Sequence, residues 1–539
     1  MTRFAKTVMP AVLALLAALG LAGAAQAAPS APPPAPPAVP VPGDLAATEV
    51  SFAGSGLTLH GTVLAPRNRR GALPGMVLVH GAGAGTPRTK LMTEAVEFAR
   101  RGMAVLVYDK RAAGYSTFRR SYSQLADDAL GAVAALRRQT GVDPGKVGLW
   151  GLSEGGWVVP LAASRSRDVA FVVLVGANSL EPLRQQSWAV MAGLRKAGVS
   201  GSLPGRAVPT LYRAISAGGL FPEPWHDPLS VLRAVRQPVL AIWGTHDLLT
   251  PPRESPPLMA RALAEGGNEH VTLRLFPGAE HAAHLTSDGG VTRRPELAPG
   301  YADLVGSWVS DVATGRAPRT SPPPGAPRAH QASATVAVPP PAWWESAPVQ
   351  TAALLLFLTA FLGYPLTAAA RRIRGLATAS GARGSREGAS GRPGAAASGT
   401  GRPGAAASGA GGSGAEESGA KGAGARWAGA GGSGARRAGA APRVLAASGL
   451  VVVIGGFAYL TYVIMTGGKL AQPGPVLAGR PVLWLALQAL TVTVAVTTVL
   501  TARAWRAAER RAERVRLGLL VTAGAVMIPW ALYWGLLLP

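Results

Sequence analysis

A Gly-x-Ser-x-Gly pattern, Gly-Leu-Ser-Glu-Gly at residues 151–155, is the strongest chemical signal in the chain. It follows a strand-like apolar run, Val147–Trp150, and precedes a segment with a helical pattern. Gly151 and Gly155 leave room for the tight turn that projects a serine hydroxyl above a sheet, at a helix N-terminus that favours negative charge. We therefore predict that Ser153 is a nucleophile. Because the chain contains 69 glycines, the flanking strand and helix support this prediction more than the pattern alone.

A serine nucleophile needs a general base and an acid that orients the base. Asp247 and His281 follow Ser153 in the order Ser-Asp-His, each in a loop shortly after an apolar run, at 238–243 and 271–276 respectively. Because open α/β sheets build their sites at the carboxyl ends of strands, both side chains are expected beside the serine. We predict His281 as the base and Asp247 as its orienting acid.

Two alternatives to these assignments stay open at this point. His284 lies three residues after His281 and could be the base instead. Asp247 could simply form the turn that follows its strand. Two further histidines, His246 and His270, are expected to lie at the surface.

The oxyanion formed during acyl transfer needs two backbone N–H donors. One is predicted to be the amide of Glu154, the residue after the nucleophile. The other is predicted to be the amide of Ala82, because Gly81 and Gly83 on either side of it let the backbone approach a substrate. An ordinary glycine-rich turn is the alternative for this loop. His80, which begins the loop, is expected to be structural.

Between about residues 45 and 315, short runs that are apolar throughout alternate with longer helical patterns, as in parallel sheets buried on both faces. The alternation predicts a doubly wound, mostly parallel α/β sheet, and segment 178–228 predicts a small helical cap over the site. In this cap, Trp188, Tyr212 and Trp225 either pack or line an apolar pocket, and packing is favoured. The predicted strands are Thr48–Phe52, Leu57–Leu64, Met76–His80, Met103–Asp109, Val147–Leu152, Ala170–Val175, Pro238–Trp243 and Val271–Phe276.

Several segments of the chain resemble bacterial esterases of the α/β-hydrolase superfamily, near its dienelactone hydrolase and prolyl oligopeptidase branches. They are the nucleophile turn at 147–157, the oxyanion loop at 80–83, and the acid and base loops at 238–247 and 276–281. A further segment, 108–116, contains Asp109 and Arg111 and is similar to the Asp-Lys-Arg-Gly-x-Gly-x-Ser loop of these esterases. The resemblance covers roughly residues 48–312. It implies an α/β-hydrolase fold and hydrolysis of a small-molecule ester or acyl substrate, without metal or organic cofactor.

Two residues depart from the pattern of these esterases. Ala112 replaces the usual glycine of the Asp-Lys-Arg-Gly loop, which puts the conformation of that loop in question. Glu154 stands where such families often carry Gln. A carboxylate beside the oxyanion site is expected to disfavour anionic substrates.

The composition excludes several classes of function. The 539 residues include no cysteine, which rules out disulfides, a thiol nucleophile and a cysteine-ligated metal. The net charge of +25 comes without a nucleic-acid-binding motif or aromatic residues interleaved with a basic patch, so we expect no nucleic-acid partner. Hydrophobic residues make up 48% of the chain, which points instead to membrane segments.

The N-terminus has the pattern of a secretory signal peptide. Arg3 and Lys6 precede an apolar run, Val8–Ala25, and small residues follow at the expected cleavage site. We predict a signal peptide over residues 1–27, with an uncleaved anchor helix as the alternative. Residues 28–44 then form a Pro/Ala-rich spacer before the globular domain at 45–315.

The C-terminal part of the chain is predicted to be a membrane module. A second Pro-rich spacer, residues 316–349, is expected to hold the globular domain off the membrane. Each of the four apolar stretches that follow has about the 20 residues needed to span a bilayer, and their interiors carry no ionisable residue, which favours an anchor over a transporter. They are residues 351–370, 444–465, 482–502 and 517–538.

The orientation follows from the positions of lysine and arginine. Three arginines follow the first span and six lie between the third and fourth, whereas the loop between the second and third carries only Lys469 and Arg480. The Gly/Ala/Arg-rich linker at 371–442, which contains a direct repeat, is therefore expected to be cytoplasmic and disordered. The globular domain would then lie outside a bacterial cell membrane, in agreement with the signal peptide.

These features together predict a multi-pass, membrane-tethered serine hydrolase that cleaves carboxylic esters through an acyl-enzyme. The lipid membrane and the small-molecule substrate are its expected partners. Two alternatives stay open. One is an exopeptidase or amidase with the same Ser-Asp-His set, and the other is a membrane sensor or scaffold whose hydrolase domain only binds.

Overall fold

The computed structural model describes residues 41–68, 70–320, 328–387 and 439–539. The predicted signal peptide and residues 28–40 of the first spacer lie outside the described residues. Residues 388–438 of the predicted linker, which include its repeat, also lie outside them. What the sequence indicates for these segments stays a prediction.

One sheet contains the strands β1 (Leu45–Gly54), β2 (Leu57–Pro66), β3 (Leu73–Val79), β4 (Ala104–Tyr108), β5 (Val142–Leu152), β6 (Val172–Val175), β7 (Val239–Gly244) and β8 (Val271–Phe276). Their order across the sheet is β1-β2-β4-β3-β5-β6-β7-β8. β1 and β2 form an antiparallel hairpin and β2 pairs antiparallel with β4, whereas the other pairs are parallel. This topology confirms the predicted doubly wound, mostly parallel sheet.

Helices cover both faces of this sheet and continue into the C-terminal half of the chain. In the part that the structure describes they are α1 (Met92–Arg100), α2 (Tyr122–Arg137), α3 (Gly155–Arg165), α4 (Pro182–Lys196), α5 (Val208–Ala217), α6 (Pro228–Arg233), α7 (Ser255–Glu265), α8 (Tyr301–Ala313), α9 (Ala347–Glu387), α10 (Ala441–Tyr462), α11 (Val482–Arg506) and α12 (Arg511–Tyr533). α4 and α5 lie in the cap, residues 178–228.

The central strands are buried on both faces, which explains why their sequences are apolar throughout rather than alternating. One core lies between the sheet and helices α2 and α3, and the other lies between the sheet and helices α1 and α8. In the second core, the Trp150 indole N–H donates to the Tyr301 hydroxyl over 3.0 Å, so the buried ring keeps its hydrogen bond. Two cores on one sheet hold β5, and the residues that follow it, in a fixed position.

Helices α9 to α12 are the four candidate membrane spans, with a mean hydropathy between 1.7 and 2.0. Their number confirms the prediction, but their ends differ from it. α9 continues to Glu387, where we expected the linker, because residues after 370 are rich in alanine and arginine, which are good helix formers. α12 begins at Arg511 rather than at 517 for the same reason.

The apolar helices pack directly against the cap. Trp188 and Tyr212 of the cap are buried in the same hydrophobic core as Phe357 of α9 and Trp484 of α11. The two cap aromatic residues therefore have the packing role that we favoured, whereas Trp225 is 39% exposed. One core extends from the cap into the helix bundle, which buries the apolar faces of both.

The second Pro-rich spacer differs from its expected role, because its described part runs along the domain. The Ser333 carbonyl accepts from the Trp188 indole N–H over 3.0 Å, and the Thr335 hydroxyl donates to Glu254 over 2.6 Å. His330 stacks on His246 with 4.4 Å between ring centroids. Proline-rich composition indicates an extended chain but does not prevent it from packing, so the domain is seated on the helices rather than held away from them.

Candidate active site

Ser153 lies in the turn between β5 and α3, with a φ of 56° that few residues other than glycine adopt. Its amide donates to the Val175 carbonyl at the end of β6 over 2.9 Å. A Cβ on Gly151 would come within 2.5 Å of the Gly155 carbonyl oxygen, and one on Gly155 within 2.8 Å of the Val79 carbonyl oxygen. The turn therefore requires both glycines, as the sequence pattern predicts, and presents the serine at a helix N-terminus.

His281 and Asp247 form a hydrogen-bonded pair. The His281 Nδ1 atom lies 2.9 and 3.0 Å from the two carboxylate oxygens of Asp247, which is fully buried. The amides of Leu249 and Thr250 each donate to the Asp247 Oδ1 atom over 2.8 Å. These bonds stabilise the buried carboxylate, so Asp247 does more than form the turn after its strand.

Ser153 and the histidine pair meet at the end of β6. Val175 accepts the hydrogen bond from the Ser153 amide, and the next residue, Gly176, lies against the His281 ring. The Thr250 hydroxyl donates to the Gly176 carbonyl over 2.8 Å. The His281 Nε2 atom is buried and has no hydrogen-bond partner among the described residues, so it does not bond Ser153 in this state. Such bonds often tighten only when substrate is bound.

His284, the alternative base, has no free ring nitrogen. Its Nε2 atom lies 3.1 Å from the Glu94 carboxylate, and its Nδ1 atom lies 3.0 Å from the Arg294 carbonyl. Burial lowers the pKa of His284, but the bond and charge of Glu94 outweigh burial and the net pKa is raised. This histidine holds α1 to the loop after β8, and His281 is the better candidate base.

The glycine-rich loop after β3 lies against the serine turn. A Cβ on Gly81 would stand 3.3 Å from the Ser153 Cβ. Two hydrogen bonds hold this loop in place. The Lys110 ammonium donates to the Gly81 carbonyl over 2.6 Å, and the Gly83 amide donates to the Tyr115 hydroxyl over 3.3 Å. Ala82 between them is exposed. Within the described ranges no atom accepts from the Ala82 amide, so this predicted oxyanion donor is available.

Glu154 is buried in a cluster of cations that the sequence patterns did not indicate. Its carboxylate lies 2.5 Å from the Lys110 ammonium and 2.8 Å from the Arg120 guanidinium, and it accepts from the Tyr115 hydroxyl over 2.8 Å. Burial lowers the pKa of Lys110 and the charge of Glu154 opposes that shift. Because two cations surround one carboxylate, the negative charge of Glu154 is compensated, which removes the electrostatic argument against anionic substrates.

The predicted motif residues of the 108–116 loop have structural contacts. Arg111 donates to both carboxylate oxygens of Asp128, over 2.5 and 2.8 Å, and both side chains are buried. Gly114 has a φ of 74°, whereas Ala112 does not need a positive φ. The loop therefore accepts alanine where similar proteins carry glycine.

Asp109 and His80 anchor the two loops beside the site. The Asp109 carboxylate accepts from the Arg88 amide over 2.8 Å. The His80 Nε2 atom lies 2.8 Å from the Tyr108 carbonyl, and burial lowers the pKa of His80 to about 4. His80 is therefore neutral at physiological pH, and its ring holds the loop after β3 to the end of β4.

Aromatic residues under the cap form a second group that the sequence did not indicate. Tyr122 packs against Trp157 of α3 and against His226 of the cap, with ring centroids 5.4 and 4.9 Å apart. The Tyr122 hydroxyl, the Trp157 indole N–H and the His226 Nε2 atom are buried without a hydrogen-bond partner in the described residues. Trp157 lies one helical turn after Ser153, so this group lines the cap side of the site.

The match to a known family agrees with this geometry. Residues 89–296 match the model of the prolyl oligopeptidase family, and this segment contains Ser153, Asp247 and His281. The domain is an α/β-hydrolase of the serine-hydrolase type. The C-terminal apolar helices lie outside the matched segment.

Two curated relatives are similar to parts of this chain. The thiohydrolase AneE of Aspergillus aculeatus is 30% identical over 186 residues, which are 32% of this chain and 57% of that protein. The quorum-quenching protein AidA of Acinetobacter baumannii is 36% identical over 107 residues, which are 19% of this chain and 34% of that protein. The chain thus spans between about a third and three fifths of the length of these relatives. A solved dienelactone hydrolase from Anabaena variabilis is 20% identical, with a TM-score of 0.30 over 50% of this chain and 98% of that one.

Proposed function

We propose that this protein is a membrane-tethered hydrolase that cleaves carboxylic esters with Ser153, His281 and Asp247. The observation that carries the proposal is the meeting of these residues at the end of β6. There the Val175 carbonyl holds the strained serine turn, and Gly176 lies against the ring of the histidine. A positive φ on a non-glycine residue costs about 1–3 kcal/mol and persists mainly where function requires it.

The chemistry follows from the free atoms of the site. The Ser153 hydroxyl attacks the acyl carbon while His281 Nε2, which has no other partner among the described residues, accepts the serine proton. Asp247 holds Nδ1 of His281 and stabilises the imidazolium. The amides of Ala82 and Glu154 donate to the oxyanion. His281 then protonates the leaving alcohol. A water molecule next attacks the acyl-enzyme while His281 accepts its proton, and His281 returns that proton to Ser153 as the acid leaves.

Amide hydrolysis is the second candidate, and the match to the prolyl oligopeptidase family favours keeping it. Both reactions pass through the same acyl-enzyme, but the leaving amine must be protonated before it departs. A p-nitrophenyl ester and the p-nitroanilide of the same acyl group separate the two. Turnover of the ester without detectable turnover of the anilide supports the esterase, whereas anilide turnover that Ser153→Ala abolishes supports the amidase.

We infer that helices α9 to α12 cross a bacterial membrane with the hydrolase domain on the outer side. Aromatic residues gather where these helices meet the domain, as aromatic belts do at membrane interfaces. They include Trp343, Trp344 and Tyr462, whose side chains are exposed. Arginines gather at the opposite ends, after residue 370 and between 503 and 516, which is the arrangement of cytoplasmic loops.

A fluorescent fluorophosphonate probe on membranes of expressing cells tests the central proposal. Wild-type protein should be labelled, and Ser153→Ala should not be labelled at equal expression. Ser310→Ala, which changes an exposed serine on α8, is the matched control. A folded wild type that the probe does not label would shift the interpretation to a binding or sensor role.

A further inference from the structure

A loop of the membrane module reaches the cap. The segment that joins α10 to α11, residues 463–481, contains Gly468. This residue packs so closely on Gly193 of α4 that a Cβ on Gly193 would collide with the Gly468 carbonyl. The Ser200 amide of the cap donates to the Gly479 carbonyl over 2.7 Å. These contacts fix the position of the residue after Gly468, which is Lys469.

Lys469 points from this loop into the cap. Its ammonium donates to the Gln186 side-chain carbonyl over 2.6 Å. No carboxylate in the described ranges lies within ion-pair distance of it. Burial and the positive charge of Arg120 lower the pKa of Lys469 to about 8, so it is mostly charged at neutral pH. A partly buried ammonium with one neutral partner is an incomplete arrangement.

Arg120, the neighbouring cation, is also incompletely paired. Its side chain is 12% exposed, and its Nη1 atom lies 2.8 Å from Glu154, which Lys110 also contacts. The Arg120 Nε–H group is buried and donates to no described acceptor. A second carboxylate, Glu223, accepts from the Tyr122 amide over 3.0 Å. Lys110 and Arg120 therefore stand beside Glu154, next to the serine turn, and Lys469 is close enough to Arg120 for the two positive charges to repel each other.

We propose that Arg120 and Lys469 form an anion-binding subsite that holds a carboxylate or phosphate group of the ester substrate. This inference rests on the proposed function and adds a substrate class to it. A guanidinium and an ammonium with free N–H groups are the donors that bind carboxylate and phosphate most strongly. Because Lys469 belongs to the loop between two apolar helices, the membrane module contributes directly to substrate selection and is more than an anchor.

Matched esters test the subsite. Mono-p-nitrophenyl glutarate and p-nitrophenyl valerate have acyl chains of similar length and differ in a terminal carboxylate. Wild type should favour the glutarate ester in kcat/KM, and Lys469→Gln should lose about tenfold on that ester alone, equivalent to one ion-paired hydrogen bond. Lys469→Arg should keep the preference. Lys196→Gln, which removes an exposed cation from α4, is the matched control.

The source of the anion is settled with vesicles. If the wild type releases fatty acid faster from phosphatidylglycerol than from phosphatidylcholine vesicles, and Lys469→Gln does not, the anion belongs to a membrane lipid. If only the glutarate ester shows selectivity, the anion belongs to a soluble substrate. Equal losses on both p-nitrophenyl esters, or no loss on either, would overturn the subsite.

A readout that needs no substrate separates this inference from the proposed function. Millimolar inorganic phosphate should slow fluorophosphonate labelling of wild type more than labelling of Lys469→Gln. Equal slowing would reject the subsite while the nucleophile stands. Absence of labelling in wild type would reject the proposed function itself.

Discussion

The backbone of Gly176 lies against the imidazole of His281, so that a Cβ on Gly176 would stand 2.7 Å from the Cε1 and Nδ1 atoms of the ring. Gly176 also has a φ of 54°. The carbonyl of its neighbour Val175 accepts a hydrogen bond from the Ser153 amide. Two consecutive residues at the end of β6 therefore set the position of the base relative to the nucleophile.

Gly176→Ala should displace His281 and lower kcat by about a hundredfold, because misplacing a catalytic group by about 1 Å has an effect of that size. The measurement is hydrolysis of a p-nitrophenyl ester by the purified protein, with Tm recorded in parallel. Gly56→Ala is the matched control, since Gly56 has a φ of 72° and a Cβ on it would meet nothing within 4 Å. Equal losses in the two variants would show that backbone strain alone explains the effect.

Ser153→Ala should lower kcat for ester hydrolysis by up to about a million-fold, if the three residues act as a unit. Stability should change little, since the side chain is not part of either core. Single-turnover kinetics measure the loss. A decrease of less than about tenfold would exclude Ser153 as the nucleophile.

His281→Gln and His284→Gln should have opposite effects. The first should abolish turnover with little change in Tm. The second should keep most activity but lower the free energy of unfolding by about 1–3 kcal/mol, because buried Glu94 loses its partner. Loss of turnover in His284→Gln at unchanged Tm would contradict the assignment of the base.

The stability that His284 contributes should depend on pH. Since its pKa is raised in the folded protein, its contribution is complete below the ordinary value of 6.5 and disappears as pH rises through the raised value. The difference in Tm between wild type and His284→Gln should therefore be larger at pH 5.5 than at pH 8.5. A difference that grows with pH would contradict the raised pKa.

Glu154→Gln should destabilise the domain by about 3–5 kcal/mol, because it leaves two buried cations without their carboxylate. Adding Lys110→Met should recover part of this loss, since one of the stranded charges is then removed. Thermal inactivation in detergent measures both. If the double variant is less stable than the sum of the single variants predicts, the carboxylate and the lysine are not coupled as an ion pair.

The arrangement of strands and of the candidate catalytic residues could be predicted because each depends on local patterns. Apolar runs mark the buried strands, and the turn at Ser153 needs small residues at fixed spacing. The loops after β7 and β8 place Asp247 and His281 by topology alone. These features are short in sequence, so a single chain displays them.

The cation cluster could not be predicted, because its residues come from three separate parts of the chain. Lys110 belongs to a motif and could have been noticed, but Arg120 and Lys469 follow no spacing relative to Glu154. The seating of the cap on the apolar helices was missed for a related reason. An apolar cap face looks the same in sequence whether it covers a substrate or another helix.

One hydrophobic core joins the cap of the hydrolase domain to helices α9 to α12, the candidate membrane spans. A protease that cuts the Pro-rich segment between residues 320 and 328 in spheroplasts should leave the severed domain bound to the membrane until detergent is added. A soluble fragment ending near residue 315 would expose the apolar face of its cap to water and aggregate. If these helices span a bilayer, as we propose, the domain could not be shed as a free catalyst, and the proposed reaction would stay at the membrane surface.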